Sequence, residues 1–350
     1  MPTYITAAEI ATCHIKGEKV FACGADAVLT DLAREEVDKL GIELIRQGDN
    51  KGMGTQPQSA SQPQAQVQNP APSPKQAKSQ SGGTYGVQGF EPPAPLTYKR
   101  PFKEVLGSGR KIAGTFIGTP HPVMTEFVGK LGFDFLCIDA EHTPIHLATL
   151  QEMLQSMGAT PTYGVVRVPM ISYQYMSGAL DIGADALLIP QIRTGQDMDI
   201  VEQACLYPPQ GRRGIGPSRA TSYGLEIGKK GQEPNRDTAI IIQIETKEAL
   251  DNLDAVISRD IVDMVFIGPG DLSMNLGVFG QTGHPIMVEQ IGRIQETAGK
   301  YGKPIGIFAG NMEAAANWLD KGFDMVLINS ELGLLGEHIT GKLAALRSHM

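Results

Sequence analysis

The chain has 350 residues, room for one large domain or two ordinary ones, and with 41% hydrophobic and 19% charged residues it can build a sizeable core. A formal net charge of −8 argues against a general binder of nucleic acid or anionic membranes, which needs a basic surface. Cys13, Cys23, Cys137 and Cys205 show no metal-type spacing, and Cys137 sits in an apolar run that reads as core; this is the pattern of a reduced, cytoplasmic protein.

Met1-Pro2-Thr3-Tyr4 opens no basic-then-apolar leader, and no run reaches about 18 apolar residues, so the expectation is a protein neither secreted nor membrane-spanning. Residues 1–48 read as a small α+β module. Lys19-Val20-Phe21-Ala22 suggests a strand. Leu29, Leu32, Ala33, Val37 and Leu40 recur at helical spacing, Gly41 suits the position just past a helix, and Ile42–Ile45 suggests a second strand. So short a module makes a marginal core and is expected to need a partner or self-association. From Asn50 to Thr84 there is no aromatic and no acid, and Gln, Ser, Pro and Ala dominate. Such a stretch cannot bury enough apolar surface to offset its ordering entropy, so residues 49–96 are expected to form a disordered linker.

From residue 97 to 350, apolar β-type runs alternate with helical patterns. The runs are Ile112–Ile117, Phe135–Asp139, Val165–Val168, Ala186–Pro190, Ile240–Glu245, Met264–Gly268, Ile305–Phe308 and Met325–Ile328. Helix candidates fall between them, among them Val123–Leu131, Leu147–Met157, Tyr175–Ile182, Met198–Cys205, Lys247–Ile257 and Met312–Asp320. Eight near-continuous apolar strands with intervening helices predict a (β/α)8 TIM barrel. An open doubly wound sheet would want a glycine-rich phosphate turn after its first strand, which Gly114-Thr115-Phe116-Ile117-Gly118 does not supply.

The polar outliers gather at the C-terminal ends of those strands, the face where barrel enzymes keep their chemistry. Strand two ends in Asp139-Ala140-Glu141-His142, strand three carries Arg167, strand five ends with Gln243 and Glu245, and strand six runs into Asp271. A lone acid after a strand is more often a helix cap, and Asp271 or Glu245 could each play that part. Two acids on neighbouring strands, both in tight loops, point instead to a divalent cation. With oxygen ligands and no Cys or clustered His, Mg²⁺ or Mn²⁺ is expected, with Co²⁺ possible. Asp139 and His142 are spaced for an Asp–His dyad, and Arg167 in an apolar strand wants an anion.

These blocks resemble the HpcH/HpaI aldolases, metal-dependent pyruvate aldolases of the phosphoenolpyruvate/pyruvate barrel superfamily. Ile138–His142, Val166-Arg167, Gln243–Ala249 and Phe266–Ser273 carry the resemblance, with Tyr207–Gly214 as a further family-like block. The resemblance implies an aldehyde-lyase that cleaves a 4-hydroxy-2-oxo acid to pyruvate and an aldehyde through a metal-stabilised enolate. Glu245 and Asp271 would hold the metal. Gln243 and the amides of Gly270 and Asp271 would seat the substrate carboxylate, and Arg167 would stabilise the enolate oxygen. His142, oriented by Asp139, would be the base. Asp181 matches a position that in the family reaches a neighbouring subunit's site, within a hexamer that exchanges C-terminal helices.

Departures from the family pattern are Gly270, where relatives often have Ala, and Phe308, where an aliphatic residue is common and the aldehyde end would be reshaped. The segment Tyr223–Asp237, with Lys229-Lys230-Gly231, is expected to form part of a lid. The N-terminal module looks like short modules on proteins of bacterial microcompartments, which implies a shell or cargo partner. Two other readings of the barrel are a citryl- or malyl-type CoA lyase, for which no basic cluster for CoA phosphates stands out, and a catalytically idle scaffold, which has no reason to keep buried charges.

Overall fold

The structure is a computed structural model that describes residues 4–5, 10, 13, 19–24, 27–46 and 100–350. The expected linker lies outside the described residues. What is described falls into two bodies, one from the N-terminal region and one beginning at residue 100.

In the first body, β1 (Tyr4–Ile5) pairs in parallel with β3 (Val28–Leu29), and β2 (Val20–Cys23) in parallel with β4 (Glu43–Arg46). Between β3 and β4 runs α1 (Asp31–Leu40). Thr30 caps α1 by accepting from the Ala33 amide at 3.3 Å, and Gly41 ends it at φ +62°, a left-handed conformation that costs glycine little. Ile5, Ile10, Ala33 and Ile42 are buried together, with Val37 and Leu40 packed against them.

The second body is a closed barrel of eight parallel strands, as the alternating pattern predicts. They are β5 (Ile112–Ile117), β6 (Phe135–Asp139), β7 (Tyr163–Arg167), β8 (Ala186–Ile189), β9 (Ile240–Ile244), β10 (Met264–Ile267), β11 (Ile305–Ala309) and β12 (Met325–Ser330), each bonded to the next, with β12 closing onto β5. Within the barrel, helix α2 (Phe102–Leu106) buries Phe102, Val105 and Leu106 against strand residues such as Phe135, Cys137 and Met264. Cys137 is a core residue, as its run suggests. Gly114 is required beside it, because a Cβ there would stand 2.5 Å from the Phe135 ring.

Around the barrel run α3 (Pro122–Gly129), α4 (Leu147–Ser156), α5 (Tyr173–Asp181), α6 (Gly195–Cys205), α7 (Ile227–Gln232), α8 (Lys247–Asp251), α9 (Leu253–Ile257), α10 (Pro269–Asn275), α11 (Pro285–Lys300), α12 (Met312–Asp320) and α13 (Glu331–Arg347). The continuous helix expected over Lys247–Ile257 is broken at Asn252 (ψ 19°), whose side chain donates to the Glu248 carbonyl at 2.8 Å and so competes with the helical backbone.

A repeated lock fixes the strand register. Asp134, Asp185, Asp263 and Asp324 stand just before β6, β8, β10 and β12. Each donates its backbone N–H to a carbonyl on the preceding strand (Ala113, Gly164, Ile240, Ile305) and accepts, through Oδ2, the N–H of that same residue, all at 2.7–2.9 Å. The barrel is thus built of four strand pairs, each pinned at its floor by one aspartate.

Candidate active site

The mouth of the barrel is organised by Arg167. Asp139 and Arg167 are register partners at the ends of β6 and β7. Arg167 forks onto the carboxylate, Nε to Oδ1 at 2.9 Å and Nη2 to Oδ2 at 2.7 Å, while its face lies 4.2 Å from the Phe116 ring centroid. Burial alone would disfavour the guanidinium's charge; the hydrogen bonds and charge of Asp139 outweigh it and raise its pKa.

This pairing alters the expected dyad. Asp139 Oδ1 also accepts the backbone N–H groups of Glu141 (3.1 Å) and His142 (3.3 Å), but it makes no bond to the His142 ring. The imidazole, 60% exposed, has Nε2 3.7 Å from Glu141 Oε2. The carboxylate facing it is Glu141, because Arg167 holds Asp139. Glu141 Oε2 is buried without a hydrogen-bond partner and has Arg167 Nη1 at 3.3 Å. Burial pushes its carboxyl up to about 7; Arg167 pulls the other way, and Asp139 and Asp271 add to the rise.

Glu245 is fully buried just past β9. Its Oε1 accepts from the Gln191 backbone at 2.8 Å and the Gln191 side chain at 3.1 Å, and its Oε2 accepts from Gln243 Nε2. Burial pushes it up to about 7 against these bonds, with Glu141 and Asp271 contributing. It does not cap the next helix: Thr246 does, accepting from Ala249. Gly268, across from Glu245, is there for space. A Cβ would sit 2.6 Å from Glu245 Oε2 and 2.7 Å from Gln243 Nε2. Asp271 follows in the first turn of α10, and Asn275 ties the two loops by donating to the carbonyls of Glu245 (3.2 Å) and Asp271 (3.0 Å).

Asp139, Arg167, Gln243, Gly270 and Asp271 line a cavity of about 390 Å³ together with Phe116, Phe308, Asn329, Ser330 and Leu332, whereas Glu141, His142 and Glu245 stand outside its lining. Glu331 closes the rim between β12 and β5, accepting from the amides of Gly118 (3.0 Å) and Thr119 (2.7 Å). Among the described residues no cluster of three or more His, Cys, Asp or Glu is arranged around one metal position. The donor set nevertheless fits a hard cation with open positions: oxygen ligands only, excess negative charge, and two orphaned buried oxygens, Glu141 Oε2 and Gln243 Oε1.

Residues 113–337 match the sequence model described as HpcH/HpaI aldolase/citrate lyase. The chain belongs to the HpcH/HpaI aldolase/citrate lyase family. Relatives of this HpcH/HpaI chain include the hydroxypyruvate/pyruvate aldolase of Roseobacter denitrificans, 34% identical over 71% of this chain and 98% of that protein. The 5-keto-4-deoxy-D-glucarate aldolase of Escherichia coli K12 is also 34% identical, over 69% of this chain and 94% of that protein. A solved HpcH/HpaI family protein from Burkholderia cenocepacia J2315 superposes with a TM-score of 0.68 at 28% identity, covering 70% of this chain and 98% of that one. The chain is a carbon–carbon lyase of the class II aldolase type. Both the N-terminal body and residues 49–96 lie outside the matched residues.

One expectation about the HpcH/HpaI barrel, that of a lid, needs correction, and Asp181 stands away from its own chain's mouth. Asp181 ends α5, at the opposite end of the barrel from the mouth, where Arg213 Nη2 bonds it at 2.6 Å and stacks 4.5 Å from the Tyr207 ring. The segment Tyr223–Asp237 leads from α6 back to the start of β9 and so belongs to the floor. It cannot cover its own mouth, because a connection from helix to strand returns to the N-terminal face. Sequence reasoning named no role for Phe116, Gln191 or Gly268. Gln191, at φ +57°, carries a signal only once Glu245 is placed beside it.

Proposed function

We propose that this chain is a divalent-cation-dependent pyruvate aldolase that cleaves a 4-hydroxy-2-oxo acid to pyruvate and an aldehyde. The observation that supports this most is the charge balance at the mouth: the carboxylates of Asp139, Glu141, Glu245 and Asp271 act on one another there, and the one guanidinium, Arg167, pairs with Asp139 and Glu141. So much buried negative charge calls for a counter-cation. Glu245 and Asp271 would hold it, and Mg²⁺ or Mn²⁺, or Co²⁺, suits their oxygens. When bound, such a cation polarises the 2-oxo group and favours enolate charge.

The chain's own groups do the rest. Backbone amides at Gly270 and Asp271 seat the substrate carboxylate, with Gln243, one of whose amide protons is committed to Glu245. Arg167 lines the cavity and offers positive charge where the enolate oxygen develops. His142, beside Glu141, takes the 4-hydroxyl proton on a ring nitrogen. The C3–C4 bond then breaks, its electron pair stays on the three-carbon fragment, and the departing carbon becomes the aldehyde carbonyl. A proton delivered to C3 completes pyruvate. A CoA lyase would need cations for the CoA phosphates, and among the described residues lining the cavity Arg167 is the one cation, already paired with Asp139.

The reading extends to organisation. Residues 97–350 carry catalysis in the cytoplasm, and residues 1–48 form a separate docking module, directed to a bacterial microcompartment. The barrel forms a homo-oligomer, a hexamer by resemblance. Helix α13 leaves Leu335, Ile339, Leu343 and Leu346 exposed along one stripe, and α3 leaves Val123 and Phe127 exposed, surfaces suited to a second copy.

The test is pyruvate release from a panel of 4-hydroxy-2-oxo acids. Chelation with EDTA is expected to abolish it and Mg²⁺ or Mn²⁺ to restore it. Full activity in metal-free protein refutes the cation's role.

A further inference from the structure

The cavity is divided by chemistry along the strand order. Most of its charged groups come from β6, β7 and the loop after β10, whereas the arc β11–β12–β5 and the start of α13 supply Phe308, Phe116 and Leu332, together with Asn329, Ser330 and Glu331. Phe116 and Phe308 face each other with ring centroids 6.0 Å apart and make a continuous aromatic wall. The one carboxylate on that arc, Glu331, is consumed by the Gly118 and Thr119 amides. Among the described lining residues Arg167 is the one cation; its guanidinium lies 4.2 Å from the Phe116 ring centroid and is committed to Asp139, with Glu141 beside it.

We propose that the aldehyde handled by this enzyme is uncharged and apolar, an alkyl or aryl aldehyde that lies against the Phe116–Phe308 wall. The proposal rests on the aldolase reading above and adds the class of the second substrate. The polar side suits the 2-oxo acid. An aldehyde bearing a second carboxylate would meet the negative charge of Asp139, Asp271 and Glu331, with Arg167 already committed to Asp139, and an underpaired charge in a partly desolvated site is strongly disfavoured. Asn329 and Ser330 can partner some hydroxyls of a polyhydroxylated aldehyde, but those set against the Phe116 and Phe308 faces would lose hydrogen bonds to water without replacement. An apolar chain gains by burial there.

The full-length chain with Mg²⁺ and pyruvate would be assayed in the addition direction with propanal and benzaldehyde, with glyceraldehyde, and with glyoxylate and succinic semialdehyde. Exchange of pyruvate methyl protons with deuterated solvent, which needs no aldehyde, would be followed in parallel. The expected result is a kcat/KM for the apolar aldehydes at least about 100-fold above that for the anionic ones, with glyceraldehyde below the apolar pair. A preference for an anionic aldehyde or for glyceraldehyde, with pyruvate exchange present, overturns this proposal and leaves the aldolase reading standing. Absence of exchange overturns both. Leu332→Lys places a cation on the wall at a partly exposed position, and is expected to shift the anionic-to-apolar selectivity ratio at least about tenfold towards the anionic aldehydes. An unchanged ratio in that variant shows that the wall does not meet the aldehyde, and the proposal falls.

Discussion

Arg167 and Asp139 meet in a two-point fork, 2.9 Å and 2.7 Å, with both side chains at least nine-tenths buried. The carboxylate thereby sets the position of the guanidinium, not of the imidazole of His142. Asp139→Asn removes the charge that offsets Arg167's desolvation, and truncating one partner of a buried pair is strongly destabilising to the other. The expected outcome is a variant that resembles Arg167→Ala, with a raised pyruvate KM and proton exchange down about 100-fold. Steady-state kinetics of Asp139→Asn, Arg167→Ala and His142→Ala side by side would check this. If Asp139→Asn instead tracks His142→Ala in its pH–rate profile with pyruvate KM unchanged, the dyad is real after all.

Gly268 has no room for a side chain over Glu245. Gly268→Ala should push the carboxylate off its position while leaving the strand intact, since the clash is with two side-chain ends. Mg²⁺ or Mn²⁺ affinity is expected to weaken by about 10–100-fold, as for other disturbances around a ligand. Calorimetric titration with Mn²⁺ would read it, and wild-type affinity would contradict the ligand role of Glu245.

The two raised carboxyls give a pH signature. Glu141 and Glu245 stand near 7 in the fold against an ordinary value of 4.5, so between those values each takes up a proton on folding. Their contribution to stability is therefore present below about 4.5 and is lost as pH rises through about 7. A cation needs the deprotonated forms, so its binding strengthens over the same window. Melting temperatures with EDTA and with excess Mn²⁺ should diverge as pH rises from about 5 to about 8. A constant gap would mean that neither carboxyl is linked to the cation.

At the floor, Asp324 Oδ2 accepts the Ile305 amide at 2.9 Å. Asp324→Ala leaves that amide without its partner and is expected to cost about 1–3 kcal/mol. Asp324→Asn, which keeps an acceptor oxygen, should cost less. Urea denaturation of both variants would rank them; equal midpoints for the wild type and Asp324→Ala would mean the lock contributes nothing.

The sequence by itself determined the barrel. Eight apolar runs and their helical partners are written in local periodicity, and the observed strands Ile112–Ile117 and Phe135–Asp139 coincide with the expected ones because burial on both faces leaves an uninterrupted apolar signature. It also placed Asp139, Arg167, Gln243, Glu245 and Asp271 at strand ends, since position along a strand decides which end of the barrel a residue occupies. Partnership was decided only by tertiary structure. Spacing offered His142 as the neighbour of Asp139, yet the adjacent strand brought Arg167 within bonding distance, and a doubly bonded guanidinium outcompetes an exposed ring three residues away. Asp181 and the Tyr223–Asp237 segment carry suggestive chemistry in the sequence and stand at the floor of their own barrel, because helix-to-strand connections return there. Gln191 and Gly268 acquire meaning only in space: neither carries a charge, and what each does is set by Glu245, more than 20 residues distant along the chain.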